Sequence, residues 1–103
     1  MIQSEDLLKV LIKNKVNFFT GVPDSVLSKF TEILKKNHIV AVNEGSAVAI
    51  AIGNYIKSKK ISCVYMQNSG LGNSINPLIS LSSKEVYSIP MVLLIGWRGM
   101  PGL

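Results

Sequence analysis

Four short apolar runs, each followed by a segment of helical pattern or a glycine-bearing loop, constrain this chain more than any other feature. The runs are Val16-Asn17-Phe18-Phe19-Thr20, Ile39-Val40-Ala41-Val42, Ile61 to Met66, and Met91-Val92-Leu93-Leu94-Ile95. Continuous rather than alternating apolar character is the mark of strands covered on both faces, as in a parallel sheet between helical layers. Between the runs, Leu7, Leu8, Leu11 and Ile12 recur at helical spacing. So do Val26, Leu27, Phe30, Ile33 and Leu34. The pattern predicts an α/β fold of three layers, αβα, with a mostly parallel sheet.

The boundaries follow from local chemistry. Ser4 is expected to cap a helix over about residues 5–14, with Glu5 and Asp6 in its first turn. Gly21-Val22-Pro23 ends the first strand, and Asp24 or Ser25 caps a helix reaching Lys36. A third helix covers residues 45–57, after Glu44. Residues 67–73 read as a loop, and a fourth helix runs from the mid-seventies to Ser82 with Pro77 in its first turn. Sheets of this kind continue with a further helix and strands after such a fourth strand. The 103 residues therefore read as one incomplete domain.

Composition excludes several function classes. The single Cys63, among strand-like residues, is a buried thiol and excludes a disulfide framework. No apolar run approaches the ~18 residues of a membrane span, and the acids at positions 5 and 6 do not suit an export signal. The chain reads as cytoplasmic. The net charge is +5, with lysines grouped at 13 and 15, 35 and 36, and 57, 59 and 60. Each group falls at an expected helix end, where cations complement the macrodipole. No aromatic residues interleave with them as single-stranded nucleic acid requires, so neither nucleic acid nor membrane is an expected partner. A hydrophobic content of 48% is high for this length and points to apolar surface meant for another subunit.

Ligands of open parallel sheets bind beyond the carboxyl ends of the strands. Four polar, glycine-bearing segments occupy those ends here: residues 21–25, 43–45, 67–73 and 96–99. Glu44 stands out among them. Apolar surroundings disfavour its charged form while a helix N-terminus favours it, so it can share a proton with a partner. The same position also suits a glutamate that does no more than favour the helix dipole. Gly70-Leu71-Gly72-Asn73-Ser74-Ile75 lacks the third glycine of a dinucleotide fingerprint, and no phosphate loop of the Walker type exists. One His and one Cys exclude a His/Cys metal site, and His38 reads as a surface residue.

Taken together, four groups of residues resemble a known family. They are Phe19 to Ser25; Asn43-Glu44-Gly45; Tyr65 to Asn73 with Asn76-Pro77-Leu78; and Tyr87 to Pro90 running into Ile95 to Gly99. The family is the thiamine diphosphate-dependent 2-oxoacid decarboxylases, with the pattern more like phosphonopyruvate decarboxylases than sulfopyruvate decarboxylases. The resemblance covers nearly the whole chain and corresponds to the N-terminal, pyrimidine-binding domain. It implies that Glu44 is catalytic, hydrogen-bonding the aminopyrimidine ring nitrogen and favouring the tautomer that accepts the thiazolium proton.

The resemblance further implies that Gly21, Val22, Pro23, Ser69, Gly70, Leu71 and Asn73 shape the aminopyrimidine pocket together with Glu44. Asp24 and Ser25 would face the substrate, and Gln67 and Asn68 would hydrogen-bond it. Arg98, the one arginine in the sequence, suits a phosphonate; it equally suits a surface arginine at a strand end. In the family a second domain holds the diphosphate and Mg²⁺ through Gly-Asp-Gly followed by Asn. This sequence contains no Gly-Asp-Gly, so a diphosphate-binding domain or subunit is an expected partner. The family also builds its site between subunits, which implies a homo-oligomer and gives the Ala47–Gly53 helix a role as an interface. The alternatives are a sulfopyruvate decarboxylase subunit and a non-catalytic interaction fragment.

Overall fold

The computed structural model describes residues 3–79 and 88–98. The elements run α1 (Ser4–Lys13), β1 (Phe18–Gly21), α2 (Ser28–Glu32), β2 (His38–Val40), α3 (Glu44–Ser58), β3 (Ser62–Gln67), α4 (Leu71–Pro77) and β4 (Val92–Gly96). A 3₁₀ turn, Asn68–Gly70, leads into α4. All four strands are parallel, in the order β2-β1-β3-β4. The chain leaves β1 toward β2 on one side and returns past it to β3 on the other. The switch point therefore lies between the carboxyl ends of β1 and β3, where open α/β sheets leave a crevice.

β3 is the centre of the molecule, with Ser62 to Met66 all buried. Its side chains divide by parity, as a strand demands. Cys63 and Tyr65 join Leu11, Phe19, Phe30 and Leu34 beneath α1 and α2. Val64 and Met66 join Ala47, Val48, Ala51 and Ile52 of α3 on the other face. The expected three layers are present. Burial pushes the Cys63 thiol up to about 12, so it stays protonated and inert inside the sheet.

Several boundaries differ from the sequence expectation. Ser4 is the first helical residue, with Gln3 in the capping position and no side-chain cap. Helix α2 is five residues long rather than twelve, because Asp24 closes a preceding turn by accepting from the Leu27 amide at 2.9 Å. Ile12 and Val26, expected to face inward, are exposed. The second run is not covered on both faces, since β2 is an edge strand and Val42 is 89% exposed.

Residues 68–73 are helical rather than loop, so α4 begins before the mid-seventies and Pro77 lies at its end. Residues 78 and 79 continue in helical backbone, and the rest of the expected extension, residues 80–82, falls outside the described residues. On α3, Ala47, Val48, Ala51 and Ile52 are taken up by the protein's own core. The expected Ala47–Gly53 interface therefore shrinks to the exposed stripe of Ala49, Gly53 and Ile56.

Two of the three lysine groups fall at helix ends as expected, whereas Lys35 and Lys36 lie beyond α2, which ends at Glu32. Lys13 and Lys57 sit in the last turns of α1 and α3. Lys59 caps α3 at φ 61°, its amide donating to the Tyr55 carbonyl at 2.7 Å. Left-handed backbone at a non-glycine residue is costly. Among the described residues no helix is long and apolar enough to cross a membrane.

Candidate active site

Glu44 opens α3, one residue after Asn43, whose side chain caps the helix by accepting from the Ser46 amide at 2.8 Å. The cap fixes the first turn and so fixes where Glu44 points. Its half-buried carboxylate leans across to the segment that follows β3. There the Asn73 side-chain amide donates to Glu44 Oε1 at 3.0 Å. Gly70 lies directly beneath the carboxylate, where a β-carbon would come within 2.6 Å of Glu44 Cγ. Among the described residues Oε2 has no hydrogen-bond partner. The carboxylate is thus held at Oε1 by Asn73, while Oε2 lies over Gly70.

A second group lies beside the first on the same segment. Asn68 donates from Nδ2 to the Arg98 carbonyl at 3.3 Å and accepts the Arg98 amide at Oδ1 at 3.0 Å. These two bonds staple the loop after β3 to the loop after β4. Gln67 donates to Ser69 Oγ at 2.8 Å and accepts from the Arg98 guanidinium at 3.4 Å. Gln67, Ser69 and Arg98 are thus gathered as expected, with Arg98 exposed. Asn68, expected to face a substrate, instead spends both ends of its carboxamide on the Arg98 backbone.

The loop after β1 is placed by packing. Gly21 is buried, and a β-carbon there would lie 2.6 Å from Tyr65 Cδ1. Only glycine lets the Tyr65 ring cross β1. Val22 and Asp24 are half-buried, while Pro23 and Ser25 are exposed. Asp24 caps its own turn through Oδ1, and its buried Oδ2 has no partner among the described residues. Leu27 packs on Gly96, where a β-carbon would be 2.8 Å from Leu27 Cγ. The loop after β1 therefore reaches across to the end of β4. Leu71, expected in the pocket, turns its side chain into the core beside α3.

Two features escape sequence reasoning. His38, read as a surface residue, is half-buried with Nε2 2.5 Å from the Tyr65 hydroxyl. Burial lowers the His38 pKa from its usual value and raises Tyr65 to about 12. Both are neutral at pH 7, so the hydroxyl donates and Nε2 accepts. Nothing local to either residue signals the pair, because it spans β1 and depends on strand order. The Asn43 cap does carry a signal, an Asx residue immediately before the first helical turn.

A depression of about 470 Å³, lined by Ile12, Lys15, Lys59 and Lys60 among others, opens at the opposite end of the strands. It contains no carboxylate and takes no part in this arrangement. Among the described residues no cluster of His, Cys, Asp or Glu is placed to hold a metal ion.

Known proteins resemble the chain in sequence and in fold. The chain is 36% identical over 103 residues to the sulfopyruvate decarboxylase alpha subunit of Methanococcus maripaludis, covering 96% of this chain and 60% of that protein. It is also 36% identical over 106 residues to phosphonopyruvate decarboxylase of Streptomyces hygroscopicus, covering 99% of this chain and 26% of that protein. The chain thus spans well under two thirds of the latter protein and somewhat under two thirds of the former. Among solved structures, benzoylformate decarboxylase from Polynucleobacter necessarius superposes with a TM-score of 0.76 at 25% identity, covering 93% of this chain and 18% of that one. Residues 1–102 match the family model for the thiamine pyrophosphate enzyme N-terminal TPP binding domain, and the chain belongs to that family.

Proposed function

We propose that this chain is the pyrimidine-binding part of a thiamine diphosphate-dependent decarboxylase that converts 3-phosphonopyruvate to phosphonoacetaldehyde and carbon dioxide. The observation that carries the reading is the Glu44 carboxylate at the carboxyl edge of the parallel sheet, held at Oε1 by Asn73 and without a hydrogen bond to a described residue at Oε2. When bound, thiamine diphosphate supplies the electron sink for loss of carbon dioxide from a 2-oxoacid. Glu44 holds and shares the proton at the aminopyrimidine ring nitrogen. Gly21, Val22 and Pro23 on one side and Ser69 and Gly70 on the other wall that ring. Ser25 and Gln67 face the substrate, whereas Asp24 is turned inward with one oxygen on the Leu27 amide and the other buried; Arg98 meets the phosphonate with two parallel charge-assisted hydrogen bonds.

The diphosphate and Mg²⁺ belong to a separate domain or subunit, in keeping with the absence of Gly-Asp-Gly here. That component and a second copy of the chain are the partners of the reading. A sulfopyruvate-directed enzyme is the second reading, favoured by the share of the relative that the chain spans, 60% of an alpha subunit so named against 26% of the phosphonopyruvate decarboxylase. The test is carbon dioxide release by the full-length protein with its diphosphate-binding component, thiamine diphosphate and Mg²⁺. Turnover of 3-phosphonopyruvate well above that of sulfopyruvate supports the first reading. The reverse order supports the second, and turnover of neither removes both.

A further inference from the structure

We propose that Asn73 is a positioning residue for Glu44, holding Oε1 so that the proton is exchanged at Oε2. The inference rests on the reading of Glu44 as the group that meets the aminopyrimidine. Three observations converge on it. The Asn73 side-chain amide donates to Oε1 at 3.0 Å. An amide N–H can only donate, so Oε1 is kept as an acceptor and the proton is left to the other oxygen. The second observation is Gly70, whose missing side chain is the space the carboxylate occupies.

The third is Gly45, next to Glu44 itself. A β-carbon there would lie 2.8 Å from the Asn73 carbonyl oxygen. The backbone of α4 can approach the first turn of α3 only because residue 45 has none. Glycine at 45 brings Asn73 near, and glycine at 70 lets Glu44 lie down beside it. Between them they set the geometry of one hydrogen bond. Asn73 is exposed, so the bond adds little to folding, and its worth is in orientation.

The test uses the full-length protein with its diphosphate-binding component. Without cofactor, the Asn73 side-chain amide resonance is followed by NMR through a pH titration; it moves as Glu44 takes up a proton, and Glu44→Gln abolishes the response. With thiamine diphosphate and Mg²⁺ bound, exchange of the thiazolium C2 proton is followed against pH. Asn73→Ala moves the midpoint of that profile upward by about half to one pH unit, the size of one exposed hydrogen bond to a charged group. Asn73→Asp, the same size but a second carboxylate, moves it further.

An amide signal indifferent to Glu44→Gln overturns the proposal. Wild-type profiles in both Asn73 variants, with Glu44→Gln slow, overturn it while leaving the reading of Glu44 intact. A Glu44→Gln protein that exchanges at the wild-type rate overturns that reading and the proposal with it.

Discussion

Gly70→Ala separates the fold of this chain from its chemistry. The backbone at Gly70 has φ −86° and ψ −7°, which alanine adopts without strain. The added methyl group meets the Glu44 side chain, with Cγ 2.6 Å from the new carbon and the carboxylate closer still. Glu44 is half-buried at a helix start and can swing away. The overlap is therefore relieved by losing the Asn73 bond, a loss of about 0.5–1 kcal/mol for an exposed charge-assisted contact. Alanine returns up to about 1 kcal/mol over glycine in helical backbone. Stability thus changes by about 1 kcal/mol or less.

Displacing an acid–base group by an ångström costs on the order of 10² in rate. Gly72→Ala is the control, since nothing lies within 4 Å of its β-carbon position. Thermal denaturation and C2-proton exchange of the full-length, cofactor-loaded protein read the two effects. Gly70→Ala melts within a few degrees of wild type and exchanges about 10²-fold more slowly. Gly72→Ala is normal in both. Gly70→Ala behaving like Gly72→Ala refutes the placement of Glu44 on Gly70.

Other consequences follow from the same contacts. Gly21→Ala drives a methyl group into the Tyr65 backbone carbonyl and ring, where nothing flexible yields; denaturant titration reads a loss of about 1–3 kcal/mol. Arg98→Ala lowers kcat/KM for phosphonopyruvate by about 1.5–3 kcal/mol, the range for hydrogen bonds to a charged group, while any turnover of pyruvate, which lacks the phosphonate, is unchanged. The His38 pKa is lowered on folding, so the unfolded chain binds the extra proton more readily. Its contribution to stability is complete above the unfolded value of about 6.5 and is lost as pH falls toward the lower folded value. Denaturation midpoints between pH 7.5 and about 5 measure the loss, which His38→Phe removes.

How far the sequence carried the structure depends on the range of the interaction. The parallel sheet was legible because burial acts residue by residue along a strand, most fully in β3, although the edge strand β2 is largely exposed. Glu44 was legible because its helix start is marked locally. The extent of α2 was not, since Asp24 captures the Leu27 amide and turns residues 24–27 before the helix begins. The Gln67–Asn73 segment looked like a loop from its glycines, yet it is helical where Gly70 and Gly72 serve close approach and propagation rather than a turn. The Asn73–Glu44, Asn68–Arg98 and His38–Tyr65 contacts join residues 27 to 30 positions apart. They exist only once strand order has brought the elements together, and no local pattern announces them.

In the proposed function Glu44 carries the proton traffic that activates thiamine diphosphate. Glu44→Gln keeps the size and one hydrogen bond of the side chain but removes its exchangeable acid proton. The decisive measurement is the rate at which the thiazolium C2 proton exchanges with deuterium, by NMR, in the full-length protein loaded with thiamine diphosphate and Mg²⁺. Glu44→Gln slows that exchange by about 10²- to 10⁴-fold, the span of a positioned acid–base group, with the fold unchanged. Exchange at the wild-type rate in the variant contradicts the account.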